Sequence, residues 1–174
     1  MSAIDFNLSQ IHGVVFDVDG VLSPSTIPMD AEGHPLRMVN IKDGYALQLA
    51  VKRGLKIAII TGADSPAIEV RYRALGITDI FTKASRKIPL LKGWLSDNGL
   101  TPEEIAYVGD DIPDYEAMTH VGLPVAPADA APEIKQIARY ISPVAGGYGV
   151  ARDLLEQLLR DRGEWMTDHH AFGW

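Results

Sequence analysis

Short apolar runs alternate with longer amphipathic segments along almost the whole chain. The runs contain three to five mainly β-branched, aliphatic or aromatic residues, which is typical of short buried strands. Strands that alternate with helices form a parallel sheet covered by helices on both faces. The pattern therefore predicts a doubly wound, three-layer α/β/α domain. The predicted strands are Val14–Phe16, Lys56–Ile60, Asp79–Phe81, Ile105–Gly109, Gly122–Ala126 and Arg139–Ser142.

The amphipathic segments between these strands predict six helices. Several have recognisable start signals: Ser65 precedes a proline, and Thr101 with Glu104 has the spacing of a capping box. Glycines follow several of the segments, where a left-handed C-terminal residue is expected. The predicted helices are Gly44–Arg53, Pro66–Leu75, Lys87–Asn98, Pro113–Val121, Pro132–Ile137 and Gly149–Arg160.

Length and charge narrow the class of protein. A chain of 174 residues favours a single domain over residues 1–174, with a tail at about 161–174. A net charge of −7 argues against nucleic acid or an anionic membrane as the main partner. The chain has no cysteine, which excludes disulfides, thiolate metal sites and cysteine nucleophiles. No leader-like start or membrane-length apolar run is visible, so we expect a cytoplasmic protein.

One segment, at about 22–43, interrupts the alternation of strands and helices. It contains three prolines and a central Glu32-Gly33 turn between two extended arms, which predicts a small β-hairpin insertion. Its apolar residues, such as Met29 and Met38, have no evident core of their own. Two interpretations remain open: a surface loop, or a hairpin buried against another subunit.

Acidic residues recur where predicted strands end. Asp17 and Asp19 follow the first strand, and the sequence GDDIPD, with Asp110, Asp111 and Asp114, overlaps the end of the fourth. Ligands of doubly wound sheets bind beyond the carboxyl ends of the strands. An isolated acidic pair after a strand is usually a turn or a helix cap, but repetition at the same edge favours a shared site.

These acids predict a metal site. Carboxylates gathered at one place repel one another unless a cation lies among them. Oxygen ligands without a nearby histidine or thiol suit Mg²⁺, which usually completes its shell with waters and substrate phosphate. The cofactor that we expect is therefore Mg²⁺, and the expected substrate is a phosphate ester.

The same residues predict a mechanism. Asp17, fixed by the end of a strand, is the candidate nucleophile that forms an aspartyl phosphate. Asp19, two residues later and on the same side, is the candidate acid/base. Thr61 and neighbouring backbone N–H groups, such as that of Gly62, would hold the phosphoryl oxygens, and Lys87 would balance their charge. An ordinary solvated surface lysine is the alternative interpretation of Lys87.

Four ordered motifs resemble those of the haloacid dehalogenase superfamily of phosphotransferases. They are DVDGVL, TG, a later RK and GDDIPD, and together they span nearly the whole chain. Within that superfamily the chain is similar to the members without a large cap domain, in particular the 3-deoxy-D-manno-octulosonate (KDO) 8-phosphate phosphatase family. The segments NIKDGYALQLA, YVGDDIPDYEAM and AGGYGVARDLL resemble that family.

The resemblance implies roles for individual residues. It implies Mg²⁺ held by Asp17, the backbone carbonyl of Asp19, and Asp110, with Asp111 as a further ligand or next to one. It implies Asp17 as nucleophile, Asp19 as acid/base, and Thr61 and Lys87 as phosphate-binding residues. It also implies a homotetramer in which the hairpin of one subunit closes the active site of its neighbour.

Two positions depart from the family pattern. An arginine often follows the TG motif, where this chain has Ala63, and Tyr148 replaces an arginine of the glycine-rich motif. Since arginine reads carboxylates through two hydrogen bonds, these changes affect how a sugar acid is held. Arg152 could supply one substrate contact, or be a helix-surface residue. A nine-carbon keto acid phosphate, or the phosphatase-like domain associated with acylneuraminate cytidylyltransferases, fits nearly as well.

Two other classes of protein compete with a phosphatase. A signalling receiver domain also pairs acids with a threonine and a lysine on a doubly wound sheet, but its phosphorylated aspartate follows the third strand. Here that strand is followed by Thr82 and Lys83. A non-catalytic assembly module is the second competitor, and the intact pair Asp17 and Asp19 argues against it.

Overall fold

The structure, a computed structural model, describes residues 2–174 and contains one six-stranded sheet. All paired strands are parallel, and their order is β3-β2-β1-β4-β5-β6. The predicted doubly wound α/β fold is confirmed. The strands are β1 (Gly13–Phe16), β2 (Lys56–Ile60), β3 (Asp79–Phe81), β4 (Ile105–Val108), β5 (Leu123–Ala126) and β6 (Tyr140–Ile141).

Helices cover both faces of this sheet. One helix differs clearly from the prediction: a helix over Pro113–Val121 is wrong, because the chain forms a 3₁₀ turn at Ile112–Asp114 and then a single α-helical turn. The backbone returns to the sheet by way of Gly122, whose N–H donates to Pro102 O (2.8 Å). The helices are α1 (Ile41–Lys52), α2 (Pro66–Arg73), α3 (Lys87–Asn98), α4 (Tyr115–Met118), α5 (Pro132–Ile137) and α6 (Val150–Asp161).

The two sides of the sheet have separate apolar cores. Along β1, Val14 and Phe16 point to one core, which includes buried residues of α1, α2 and α6, while Val15 points to the other, which includes residues of α3, α4 and α5. This alternation follows from the two-residue side-chain period of a strand. Since both faces are covered, β1 is buried along its whole length and its end is fixed.

The insertion between β1 and α1 has two extended arms, as predicted, but the arms form very little β-ladder pairing with each other. Its antiparallel pairing is a single bridge between Met29 and Pro35, closed by a turn in which Gly33 has φ +88°. The return arm, residues 35–40, leads directly into α1, and Asn40 caps that helix by accepting from the N–H groups of Lys42 and Asp43.

The C-terminal tail lies against α1. Asp168 forms a two-pronged ion pair with Arg53 (3.0 Å for both contacts), and the Tyr45 hydroxyl donates to Ala171 O. Within residues 2–174, no helix combines the length and apolarity needed to span a membrane.

Candidate active site

The acidic residues lie at the point where the strand order of the sheet reverses. β1 and β4 are neighbours, with Phe16 opposite Val108, and the acids follow both strands directly. In open α/β sheets this crevice is the usual ligand site. A cavity of about 250 Å³ opens there; its lining includes Asp17, Asp19, Ser25, Asp110, Asp111, Pro113 and Asp114.

Lys87 joins the two most buried of these acids. From the first position of α3 its Nζ lies 2.7 Å from Asp17 Oδ2 and 2.8 Å from Asp114 Oδ1. Asp114 Oδ1 also accepts from the Tyr107 hydroxyl (2.9 Å), and Asp114 Oδ2 accepts from Asp110 N (3.2 Å). Lys87 is buried and paired, so the surface interpretation of this residue is wrong.

The pKa values show an excess of negative charge in this cluster. Burial, followed by the nearby Asp114 carboxylate, raises the pKa of Asp17 to about 8 even though Lys87 opposes the shift. Burial, together with Asp114 and Asp111, raises the pKa of Asp110 to about 7. Burial alone would lower the pKa of Lys87, but Asp17 and Asp114 raise it above its ordinary value. The carboxylates are thus only partly neutralised, which is the electrostatic condition for binding a divalent cation.

Three of the acids are close enough to hold one ion. One carboxylate oxygen each from Asp17, Asp110 and Asp114 lie within 4.8 Å of one another. The close approach of Asp110 depends on Gly20, which has φ +79° and where a Cβ atom would overlap the Asp110 carboxylate. An all-oxygen donor set of this kind fits Mg²⁺.

Asp19 is held differently from the other acids. Its two carboxylate oxygens accept from Arg37 Nε (2.7 Å) and Arg37 Nη2 (2.9 Å). Arg37, in the return arm, therefore forms a bidentate ion pair with Asp19. The Asp19 side chain remains 43% exposed. The Asp19 carboxylate is not one of the three that lie within 4.8 Å of one another, which we call the three-oxygen group.

Thr61 and Gly62 lie at the end of β2, beside β1. Thr61 is buried, and its Oγ1 accepts from Ala63 N (3.2 Å), which orders the loop after the strand. Gly62 is exposed at the start of that loop. β2 pairs with β1, with Ile59 opposite Phe16, so both residues lie at the same edge of the sheet as Asp17.

Asp111 and Arg152, two further predicted site residues, do not join these three acids either. Asp111 is exposed and lines the cavity without joining the three-oxygen group. Arg152 is directed elsewhere: its Nε donates to Glu156 (2.8 Å), and its guanidinium stacks 4.6 Å from the Trp165 ring centroid. These are contacts within the α6 region.

Sequence reasoning missed the contributions of Arg37 and Tyr107 and left the role of Asp114 unassigned. Asp114 carries a weak signal, since it follows Asp110 by four residues after a strand. Arg37 carries none, because it lies 18 residues from Asp19 in a loop of irregular structure. Only the folded chain brings the two together.

A second, larger cavity of about 430 Å³ lies between the return arm and α2. Its lining includes Val18, Leu36, Arg37, Arg71 and Tyr72, so it adjoins the loop that bears Asp19. Arg71 is notable because, within residues 2–174, its buried Nε has no hydrogen-bond partner. The cavity thus combines apolar walls with the side chains of two arginines, Arg37 and Arg71.

Comparisons with known proteins agree with this geometry. A model of haloacid dehalogenase-like hydrolases matches residues 63–154. The 3-deoxy-D-manno-octulosonate 8-phosphate phosphatase of Escherichia coli K12 is 39% identical over 151 residues, which are 87% of this chain and 80% of that enzyme.

Solved structures with a similar fold include phosphatases of the same kind. The Yersinia pestis phosphatase of the same name superposes with a TM-score of 0.86 at 34% identity, covering 90% of this chain and 85% of that one. The Moraxella catarrhalis phosphatase, solved in complex with magnesium, phosphate and KDO, superposes with a TM-score of 0.84 at 30% identity, with 88% of each chain covered.

Proposed function

This chain belongs to the haloacid dehalogenase-like hydrolases and is a phosphoric monoester hydrolase, and we propose that it removes the phosphate of KDO 8-phosphate with Mg²⁺ as cofactor. The observation that carries the proposal is the group of Asp17, Asp110 and Asp114, whose oxygens lie within 4.8 Å of one another while Lys87 contacts Asp17 at 2.7 Å. This arrangement combines a nucleophile, a divalent-cation site and a fixed positive charge.

Asp17 is the proposed nucleophile. One of its carboxylate oxygens attacks phosphorus, the bond from phosphorus to the sugar oxygen breaks, and an aspartyl phosphate forms. The Val18 N–H, which donates to Asp17 Oδ1 at 2.6 Å, and Lys87 fix the orientation of the carboxylate. When bound, Mg²⁺ would be held by Asp17, Asp110 and the Asp19 carbonyl, next to Asp114, which is already paired with Lys87. The ion would offset the negative charge of carboxylate and phosphate.

Asp19 is the proposed acid/base. It gives its proton to the departing sugar oxygen as the bond to phosphorus breaks. It then takes a proton from the water that attacks the aspartyl phosphate, which releases inorganic phosphate and restores Asp17. Thr61 and the Gly62 N–H would hold phosphoryl oxygens through both steps, and Asp111 would act as an outer ligand or orient one.

The cavity of about 430 Å³ supports a sugar acid as substrate. The family arginines missing at Ala63 and Tyr148 leave the substrate carboxylate without its usual partners. Arg71 lines this cavity, and we propose that its guanidinium receives the substrate carboxylate. Arg152 is engaged with Glu156 and Trp165, so a substrate contact from Arg152 would require those interactions to open.

We also propose the homotetramer, with the hairpin of one subunit closing a neighbour's site. The insertion exposes several large apolar side chains, among them Met29 at 69% and Leu36 at 51%. Exposed apolar patches of this kind are normally covered by another protein surface.

The deciding experiment measures Mg²⁺-dependent phosphate release from KDO 8-phosphate, a nine-carbon keto acid 9-phosphate and glucose 6-phosphate. We expect the highest kcat/KM with KDO 8-phosphate, a preference for the nine-carbon compound being the alternative outcome. Asp17→Asn should lower kcat by a factor of at least about 10³, since no aspartyl phosphate can form. Undiminished turnover of this variant would overturn the mechanism.

A further inference from the structure

We propose that Arg37 is the positioning residue for the acid/base Asp19, acting through its two-pronged grip on that carboxylate. The inference rests on the proposed function, because it assumes that Asp19 transfers the proton. It adds a residue of the insertion to the machinery of the reaction.

The geometry of the pair is that of a strong interaction. Arg37 Nε and Nη2 donate to different oxygens of Asp19 at 2.7 and 2.9 Å, which fixes the plane of the carboxylate as well as its position. The Arg37 side chain is only 14% exposed. Two-pronged pairs with a buried arginine differ from the mobile ion pairs of open surfaces, which contribute little.

Arg37 is itself held by the loop that bears Asp17 and Asp19, residues 17–24, here called the catalytic loop. The next residue, Met38, donates its N–H to Ser23 Oγ (3.1 Å), while Ser23 O accepts from Gly20 N (2.9 Å). Further along the return arm, the Asn40 side chain donates to Gly147 O (3.4 Å). The two residues that follow Arg37 in the return arm and make these contacts are therefore tied to the loop that bears Asp19 and to the glycine-rich loop before α6.

The ion pair with Arg37 orients the Asp19 carboxylate and leaves part of its hydrogen-bonding capacity free. A carboxylate offers about four acceptor positions, and the guanidinium uses two of them. The side chain remains 43% exposed and lines the cavity that also contains Asp17. No other hydrogen bond within residues 2–174 holds this carboxylate, so without Arg37 the side chain would be free to rotate away from the leaving oxygen.

This role predicts a dependence on the leaving group. A sugar alkoxide needs a proton as its bond to phosphorus breaks, whereas p-nitrophenolate leaves readily without one. Misplacing the acid should therefore slow formation of the aspartyl phosphate from the sugar phosphate and spare its formation from p-nitrophenyl phosphate. The ratio kcat/KM measures this first step, whereas the later attack of water is common to both substrates. A purely structural role for Arg37 would slow both substrates equally.

The experiment compares Arg37→Gln, Arg37→Lys and wild type on KDO 8-phosphate and p-nitrophenyl phosphate at saturating Mg²⁺. We expect Arg37→Gln to lower kcat/KM for KDO 8-phosphate roughly 10- to 100-fold and to change kcat/KM for p-nitrophenyl phosphate less than about threefold. Arg37→Lys, which can keep one hydrogen bond, should be intermediate.

Arg53→Gln is the matched control. Arg53 forms a similarly buried bidentate pair with Asp168, far along the chain. The kinetics of this variant should equal those of wild type.

A second measurement tests whether Arg37 acts through Asp19. In an Asp19→Asn background, Arg37→Gln should change single-turnover rates less than about twofold, because the group it positions no longer transfers a proton. Equal losses on both substrates, or full additivity in the double variant, would overturn the inference. If Arg37→Gln does not fold, Arg37→Lys gives the same comparison. Wild-type rates for Asp19→Asn alone would refute the proposed function and the inference with it.

Discussion

At the scale of single residues, Lys87 is the centre of the candidate site. Its ammonium group lies between two buried carboxylates, Asp17 and Asp114, and is itself 5% exposed. Removing one partner of a buried ionic network leaves the others without compensation, which costs more than the network contributes when intact. Lys87 therefore supports both the charge balance of the site and the stability of the fold.

Lys87→Met should destabilise the protein by about 3 kcal/mol, because two buried carboxylates lose their cation. Phosphate release should fall as well, since the substrate loses a positive charge. Urea unfolding in EDTA measures the first effect. Lys92→Met on the same helix is the control: Lys92 is exposed, and its substitution should change neither quantity. Equal stabilities of the two variants would contradict this account.

At the scale of elements, the glycine-rich loop before α6 braces the catalytic loop. A Cβ atom at Gly146 would overlap Gly20 O, and one at Gly147 would clash with Pro24. Gly20 in turn makes room for the Asp110 carboxylate. The position of one site acid thus depends on backbone contact between two distant loops.

Gly146→Ala should therefore lower both activity and stability, the latter by about 2 kcal/mol, because the added methyl group separates the loops. Gly93→Ala is the matched control: no described atom lies within 4 Å of a Cβ there, and Gly93 is inside α3. That change should stabilise by about 0.5–1 kcal/mol with kcat unchanged. Thermal unfolding and phosphate release give both values, and wild-type activity of Gly146→Ala would refute the bracing role.

Asp43 connects α1 to the N-terminus of α6. Its Oδ1 accepts from Arg152 N (2.7 Å), but its buried Oδ2 has no partner within residues 2–174. Burial, opposed by the Arg152 N–H bond, raises the pKa of Asp43 to about 6 from 3.8. The folded state therefore binds this proton more tightly than the unfolded chain does.

The raised pKa of Asp43 determines how the free energy of unfolding changes with pH. The stabilising contribution of protonated Asp43 is complete below pH 3.8 and is lost as the pH rises to about 6. A shift of this size corresponds to about 2–3 kcal/mol. Asp43→Asn, which keeps the acceptor but not the charge, should remove that part of the decline between pH 4 and 6. Urea titrations at several pH values in that range measure it, and an unchanged slope would contradict the assignment.

At the scale of the whole molecule, the fold of one chain leaves the insertion only partly packed. Several of its apolar side chains remain exposed, although the return arm is anchored to the catalytic loop through Arg37 and Met38. An anchored arm with exposed apolar side chains is what the proposed contact with another subunit requires. Such a contact would also exclude water from the acidic cavity.

Met29→Glu should dissociate the assembly, because it places a charge in the proposed apolar contact. Activity should fall more than stability, since each chain keeps both of its cores. Light scattering after size exclusion, with kcat measured on the same fractions, tests this. Ile141→Glu, at an exposed apolar position on β6, should leave the assembly intact. Full activity in a monomeric Met29→Glu variant would contradict the shared site.

Local sequence patterns predicted much of this architecture. The bounds of β2, β3, α3 and α5 are those predicted, because apolar runs, glycines and prolines act within a few residues of themselves. α1 begins three residues earlier than predicted, at Ile41, because the Asn40 side chain caps it. The Thr101–Glu104 capping box is present, but it closes a 3₁₀ turn.

Local sequence patterns were enough to predict that Asp17, Asp19 and Asp110 lie at strand ends, since a strand that must be buried fixes where its last residue lies. The partners of these acids depend on the folded chain. Lys87 was a candidate on the sequence, but its place between Asp17 and Asp114, the grip of Arg37 on Asp19 and the engagement of Arg152 with Trp165 join segments far apart in the chain. The physical reason is that side-chain ion pairs depend on three-dimensional distance and burial, neither of which is encoded within a few neighbouring residues.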